Sequence, residues 1–91
     1  MIRTKNELKI RVLNVLQRGW LDPSTISVQV GFFPVRAVYS YLLRLHRWGL
    51  LERQRDVRGL LRYRISKRGM DRLEWLLAHE PYQKSKGLMV R

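Results

Sequence analysis

The chain contains no cysteine, and this absence removes several kinds of protein at once. Without thiols there is no disulfide framework and no thiolate metal site. Acidic residues are also scarce, since seven Asp and Glu stand against nineteen Lys and Arg, for a formal net charge of +12. A domain with this charge repels itself unless a polyanion neutralises it, so nucleic acid is the first candidate partner and an anionic membrane surface the second.

Long apolar runs are lacking as well. Residues 1–5 carry charges, but no apolar stretch follows them, so no signal peptide is predicted. The apolar segments are short and interrupted, and no membrane-spanning helix is expected. We therefore expect a soluble, cytoplasmic protein without a membrane partner.

Patterns of catalysis and metal binding are missing too. The sequence has no Ser/His/Asp constellation, no glycine-rich phosphate loop and no paired acidic site. His46 and His79 stand alone, without the spacing of a metal site. The sequence thus predicts a protein that is not an enzyme, with no catalytic residue, metal, cofactor or small-molecule substrate.

What is present is enough apolar material for one domain. Hydrophobic residues make up 45% of the chain, including three Trp, four Tyr and two Phe. A chain of 91 residues supports one core of three or four helices. We expect a domain over residues 1–80 and a flexible basic tail over residues 81–91. Trp20, Trp48 and Trp75 are expected in the core or in an interface.

The first helix is predicted over residues 5–17. Apolar side chains cover so much of its circumference that it needs more than one packing partner. These apolar positions are Leu8, Ile10, Val12, Leu13, Val15 and Leu16. A narrow polar stripe completes the helix and consists of Glu7, Arg11, Asn14 and Arg18.

The next segment gives conflicting signals. Asp22 followed by Pro23 is typical of a helix start, because Asp caps free amides and Pro suits the first helical position. Residues 26–30, however, alternate with a period of two and are rich in β-branched side chains, which favours a strand.

A third helix, over residues 34–48, has two opposite faces. Its apolar face contains Val35, Val38, Tyr41, Leu42 and Leu45. Its other face contains Arg36, Ser40, Arg44 and Arg47, together with Leu43. The helix is therefore strongly amphipathic, and its polar side is nearly all cationic.

Two strands, over residues 50–55 and 60–65, follow as a predicted β-hairpin with a Gly-containing loop. In the second strand Leu61, Tyr63 and Ile65 alternate with Arg62 and Arg64, which predicts one apolar and one basic face. The last helix is predicted over residues 66–79, capped by Ser66. Its apolar side is formed by Met70, Leu73, Leu76 and Leu77, with Trp75 off that stripe.

This order of elements resembles the winged helix-turn-helix family, as in MarR- and PadR-type transcription regulators. Residues 38–53 resemble the family's recognition helix running into its wing, and residues 63–69 resemble the end of the wing. The resemblance covers residues 7–79. It implies an α+β, mostly helical fold with a three-helix core, a two-stranded β wing and a C-terminal helix, and it makes residues 24–30 a helix. Two departures concern the turn, since residues 31–38 are about one residue longer than usual and Phe33 stands where a capping Ser or Thr is common.

The predicted function is sequence-specific binding of double-stranded DNA by a transcription regulator. Arg36, Ser40, Arg44 and Arg47 recur at intervals of four, four and three residues, which aligns them along a helix that fits the major groove. Arg36, Tyr39 and Ser40 are the candidates for base edges, Arg44 and Arg47 for phosphates, and Leu43 for a thymine methyl group. The wing candidates are Arg55, Arg58, Arg62 and Arg64, with Arg58 at the tip entering a minor groove.

The position of the charge supports this function. Residues 34–68 contain ten Lys or Arg and two acids, so they hold +8 of the net +12. Two alternatives remain open: a winged helix that binds structured RNA, for example on the ribosome, and a protein-interaction module for an acidic partner. The broad apolar surface of the first helix, together with Trp75, predicts a homodimer through the first and last helices, as in related regulators.

Overall fold

A computed structural model of the chain describes residues 5–79, and within them four helices and a two-stranded sheet. The helices are α1 (Lys5–Val15), α2 (Pro23–Val30), α3 (Val35–Arg47) and α4 (Lys67–His79), and the strands are β1 (Leu51–Arg55) and β2 (Leu61–Ile65). A 3₁₀ turn, Leu16–Arg18, continues α1. The predicted winged helix-turn-helix architecture is confirmed. The predicted tail at 81–91 and the domain boundary at 80 lie outside the described residues.

The first helix has its two packing partners within the chain, because α1 contacts both α2 and α4. Val12, Leu13 and Leu16 are fully buried between them. Ile10 is only partly buried and packs against the edge of this core. The broad apolar surface that predicted self-association is therefore largely consumed by the core of the monomer.

Glu7 departs from the predicted polar stripe of α1. Its exposed fraction is only 3%, so the prediction that it faces solvent is wrong. A buried carboxylate needs a partner, and the guanidinium of Arg11 lies 3.2 Å from it, one helical turn along. Arg11 also donates to the carbonyl of Val30 at 3.5 Å, which connects α1 to the end of α2.

The conflict over α2 is resolved in favour of a helix. The carboxylate of Asp22 accepts hydrogen bonds from the amide of Thr25 at 3.4 Å and from its hydroxyl at 2.6 Å, so the predicted cap forms. The bond from the Thr25 hydroxyl is the main reason that the pKa of Asp22 lies below its usual range. Ile26 and Val30 lie four residues apart and are buried, whereas Val28 is exposed. Burial of this pair on one helical face outweighs the strand-like composition.

The hairpin is antiparallel, with a register that runs from Leu51 opposite Ile65 to Arg55 opposite Leu61. Tyr63 is buried in the core and exchanges two backbone hydrogen bonds with Leu21, of 2.8 and 2.9 Å. This isolated bridge ties the segment before α2 to the hairpin, and no sequence pattern predicted it.

The start of α4 is fastened to the base of the hairpin. The hydroxyl of Ser66 accepts from the amide of Gly69 at 3.0 Å, which confirms the predicted cap, and donates to the carbonyl of Gly49 at 2.6 Å. At Gly69 the two elements touch so closely that an added Cβ would overlap the carbonyl oxygen of Leu50. The position of α4 is thus set by close packing against the end of the turn after α3.

Between residues 5 and 79, no helix taken singly has both the length and the apolar character needed to cross a bilayer. Only α2 and α3 together meet the length and composition needed, and the two are bent by 104° at their junction.

Candidate nucleic-acid interface

Helix α3 presents the two faces that its sequence predicts. Val38, Leu42 and Leu45 are fully buried in the core. On the opposite side all four predicted polar residues are exposed, and Leu43 beside them is half-buried. These four exposed residues are Arg36, Ser40, Arg44 and Arg47, and with Tyr39 and Leu43 we call them the α3 face. The buried residues fix the helix against the core, so the α3 face is held on a rigid element.

The α3 face carries charge that the folded chain does not neutralise. Arg36, Arg44 and Arg47 take part in no ion pair within residues 5–79. The helix itself contains no acidic residue. Tyr39 is exposed as well. Three guanidinium groups on one exposed side of a helix are thus left with their hydrogen-bond donors available.

The flank of α3 next to α1 is different in character. The hydroxyl of Tyr41 is buried and has no hydrogen-bond partner among the described residues. Burial raises the pKa of Tyr41 to about 12, against the opposing effect of the Arg44 charge. Phe32 packs edge-on against its ring, with 5.9 Å between ring centroids. This flank packs against the rest of the domain, which leaves the α3 face as the accessible side.

In the turn that precedes α3, the capping position falls one residue later than predicted, at Pro34 and not at Phe33. Phe33 is exposed, and Pro34, with an extended backbone, is the residue before the helix. No side chain caps the first amides of α3. The amides at this end are therefore free of a side-chain cap, next to the position of Arg36.

The arginines of the hairpin divide into two sides. Alternation along the strands and the register place Arg62 and Arg64 on the side that carries Glu52, and Arg55 on the side that carries Tyr63. The sequence prediction of one apolar and one basic face in β2 is confirmed, because Tyr63 and Ile65 are buried and Arg64 is exposed.

Most of these arginines have partners inside the hairpin. Arg62 lies 3.1 Å from the carboxylate of Asp56, and Arg64 lies 2.5 Å from that of Glu52. The guanidinium of Arg64 also lies over the ring of Trp20, 4.6 Å from the ring centroid. Arg55 donates to the carbonyl of Gly59 at 2.8 Å.

Of the four arginines predicted for the wing, Arg58 at the tip is the exception; Arg53, which was not predicted, is exposed and likewise has no ion pair within residues 5–79. Arg58 is exposed, and its side chain has no ion pair within the described part of the chain. Asp56 organises the turn around it, because its carboxylate accepts from the backbone amides of Arg58 at 2.8 Å and Leu60 at 3.0 Å. These bonds lower the pKa of Asp56, and the bond from the Leu60 amide has the largest effect. The turn therefore projects Arg58 on a backbone that Asp56 holds in place.

The tryptophans are not in the core. Trp48 and Trp75 are 49% and 51% exposed, and Trp20 is half-buried, so of the two predicted locations the core is wrong and an interface stays a prediction. Each has a cation close to its ring: Lys9 at Trp48, Arg64 at Trp20 and Arg72 at Trp75. Lys9, Arg68 and Arg72 were not among the residues predicted from the sequence. Arg68 and Arg72 share a side of α4 by their spacing of four residues, and this was the available signal.

Solved structures share this fold. YusO from Bacillus subtilis has a TM-score of 0.75 and 21% identity, over 92% of this chain and 61% of that one. A MarR-family transcriptional regulator from Silicibacter pomeroyi has a TM-score of 0.63 and 20% identity, over 91% and 65%. The zinc-responsive MarR-family member ZitR from Lactococcus lactis has a TM-score of 0.68 and 17% identity, over 99% and 62%.

No protein-family model and no curated protein sequence matches the chain. The chain spans less than two thirds of the length of these three solved structures, between 61% and 65%. At identities of 17–21% the likeness is one of fold. Residues 5–79 therefore form a winged helix-turn-helix of the type solved for MarR-family regulators.

Proposed function

We propose that the protein binds double-stranded DNA in a sequence-specific manner and regulates transcription, as a binding protein and not an enzyme. The observation that carries the proposal is the α3 face, where three exposed arginines have no acidic partner within the described residues. A polyanion compensates this charge, and an α-helix fits the major groove. Such a regulator would act in the cytoplasm, on the nucleoid.

The α3 face divides into two roles. Arg36, Tyr39 and Ser40 lie in the first half of the helix, the part that reaches base edges in helix-turn-helix proteins. Arg36 can grip guanine with both arms of its guanidinium group. Leu43 offers methyl groups to a thymine. Arg44 and Arg47, further along, hold phosphates and set the register of the helix on the duplex.

The hairpin supplies the second contact. Arg58 at the tip enters the adjacent minor groove, where a narrow groove attracts arginine. Arg55, Arg62 and Arg64 contact the phosphate backbone on either side of it. Since Arg62 and Arg64 already have acidic partners, we expect Arg58 to contribute most.

A homodimer through the first and last helices would pair two α3 faces. Helix α4 exposes three large apolar side chains, Met70, Trp75 and Leu77. Because the apolar side of α1 is largely covered, α4 supplies most of the surface for association. A two-fold dimer would place the two recognition helices on half-sites about one DNA turn apart. Sedimentation equilibrium of the wild type and of Leu77→Asp tests this proposal, and a wild-type monomer at all concentrations contradicts it.

The decisive experiment is selection of bound sequences from a random duplex library at physiological salt. A recovered palindrome supports both specific binding and the dimer. The double variant Arg36→Ala/Arg44→Ala is the control, and it should recover no preferred sequence. Recovery of random sequences by the wild type would contradict specific recognition.

Competition experiments separate the two alternative functions. A-form RNA has a deep, narrow major groove that excludes a helix, so excess double-stranded RNA should not displace the DNA. Displacement by structured RNA would favour an RNA-binding role. Binding of nucleic acid that is weak and independent of salt would favour docking of an acidic protein, because phosphate contacts always release counterions.

A further inference from the structure

A basic cleft of about 440 Å³ lies beside the C-terminal end of α3, between α1 and α4. Six residues line it: Lys9, Arg47, Trp48, Leu50, Arg68 and Arg72. Four of the six are cationic and none is acidic. A neighbouring depression continues it along α4 past Asp71 to Trp75. We call the two together the α1–α4 groove. Of its residues, only Arg47 belongs to the α3 face.

The cations of this groove are not neutralised by the fold. The ion pairs of residues 5–79 involve Arg11, Arg62 and Arg64, and none of the groove cations. Lys9 and Arg72 are close enough that burial and the Arg72 charge together lower the pKa of Lys9. Like charges held at this proximity repel each other, and an anion between them removes the repulsion.

Each aromatic ring of the groove has a cation of the chain close to it, although both indoles stay about half exposed. The ammonium of Lys9 lies 5.1 Å from the ring centroid of Trp48. The guanidinium of Arg72 lies 5.7 Å from that of Trp75, and His79 stacks on the same ring at 4.4 Å. Unpaired bases bind by stacking on free aromatic faces. With four cations in the cleft and a cation beside each ring, the groove presents mainly positive charge, and this favours phosphate groups over exposed bases.

The cationic part of the groove is a poor surface for a second copy of the chain, whereas Trp75, at its far end, borders the apolar surface of α4 proposed for the homodimer. A two-fold contact through the cationic part would bring two sets of four cations together, and like charges across an interface oppose association. Arg47 belongs both to the groove and to the α3 face, so the two positive surfaces adjoin at the C-terminal end of α3. A ligand that follows both surfaces is a long polyanion.

We propose that the α1–α4 groove binds the phosphodiester backbone of the same DNA duplex that α3 reads, beyond the segment covered by α3 and the hairpin. This inference rests on the proposed function. The bound duplex continues past the C-terminal end of α3, and Arg68 and Arg72 then hold its phosphates. These contacts carry no base preference, and they lengthen the duplex segment needed for full affinity.

The test compares two double variants of equal charge. Arg68→Gln/Arg72→Gln removes two cations from the groove, and Arg18→Gln/Lys67→Gln removes two exposed cations outside it. Binding to a selected duplex is measured by fluorescence anisotropy over a range of salt concentrations. Because each phosphate contact contributes about 0.9 to the slope of log K against log salt, the groove variant should lower this slope by about two and weaken binding roughly tenfold. The control should change little.

Neutral methylphosphonate linkages, placed one at a time along the duplex, identify the phosphates involved. At flanking positions they should weaken wild-type binding and leave the groove variant unaffected. Arg68→Lys/Arg72→Lys should restore binding, since a point charge suffices for phosphate. Equal effects of the two Gln variants, or methylphosphonate effects that persist in the groove variant, would overturn this inference but leave the proposed function standing. A wild-type protein that binds no duplex at low salt would overturn the proposed function itself, and the inference with it.

Discussion

The α3 face and the hairpin contain the same kind of side chain in different electrostatic settings. The arginines of the α3 face have no ion pair within the described residues, whereas Arg62 and Arg64 of the hairpin each contact a carboxylate. When arginines are counted along the sequence the hairpin looks the more basic of the two, with five in residues 51–65 against three in α3. The number of cations in a segment therefore overstates the number that a ligand can use.

The difference follows from local geometry. Residues three and four apart are neighbours on a helix, and Arg36, Ser40 and Arg44 therefore have no acid within reach on their own face. In the hairpin, neighbours lie across the strands, and Glu52 faces Arg64 directly. The turn brings Asp56 to Arg62. Both acidic residues of the segment 34–68 thus lie in the hairpin and partly neutralise it.

The largest expected effect is on stability, and it distinguishes the buried side of α3 from its exposed side. Leu42 is fully buried, and Leu42→Ala should lower the free energy of unfolding by about 2–5 kcal/mol through lost burial and a cavity. Arg36→Ala should change it by no more than about 0.5 kcal/mol, as for an exposed position. Urea denaturation followed by circular dichroism measures both. Similar losses in the two variants would mean that Arg36 supports the fold and not the ligand.

The next effect concerns recognition by the α3 face. Arg36→Ala should weaken specific DNA binding by about 1–3 kcal/mol and relax the preference at one base pair, because Arg36 is assigned to a base edge. Selection from a random library, followed by titration of matched and mismatched duplexes, measures this. Arg18→Ala is the matched control, because it removes one exposed arginine that lies outside the α3 face. A loss that is the same on every duplex contradicts the assignment.

The hairpin should respond more weakly and without base preference. Arg58→Ala should weaken binding to all duplexes alike and lower the salt slope by about one, because a free cation is removed. Arg62→Ala should lower the slope by less, since Asp56 already shares its charge. Titrations at several salt concentrations give both slopes. A larger change for Arg62 than for Arg58 would reverse the ranking of the wing arginines.

The smallest expected effect concerns Asp56, which holds the turn of the hairpin and partly neutralises Arg62. Asp56→Asn keeps an oxygen for the turn amides but removes the charge beside Arg62, so binding to every duplex should strengthen slightly. Since the pKa of Asp56 is lowered from 3.8, its contribution to the turn is present above that value and is lost as the pH falls through the pKa in the folded protein. The Leu60 amide, followed by NMR, should show this acid transition in the wild type and not in the variant. A transition that persists in Asp56→Asn assigns it to another group.

Much of the fold could be predicted because the local signals agree with it. Amphipathic spacing predicts α3, the alternation of β2 predicts the hairpin, and Asp22 and Ser66 predict two helix caps. The structure describes all of these elements within one or two residues of the predicted bounds. At α2, the composition of residues 26–30 favoured a strand against the helix-start signal of Asp22 and Pro23, and the resemblance to a family of known architecture decided for the helix. The reason is that propensity is a weak preference which burial on one face can override.

The predicted contacts with DNA remain proposals. The surroundings of these residues could be predicted from the sequence for α3, but not for the hairpin. Exposure of the α3 face follows from helical periodicity alone. The pairing of Arg64 with Glu52 depends on the strand register, and the contact of Arg64 with Trp20 depends on the bridge at Leu21. Helical periodicity could not predict burial of Glu7 either, because it depends on what packs against α1.

By itself the sequence determined the order of elements, the apolar side of each and the excess of positive charge, because these depend on spacing along the chain and on composition. Only the tertiary structure decided which cations keep their charge free and which are neutralised. It brought Lys9, Arg47, Arg68 and Arg72, from three separate helices, to one groove. The physical reason is that electrostatic energy depends on distance in space, and packing of the core sets those distances for residues far apart in sequence.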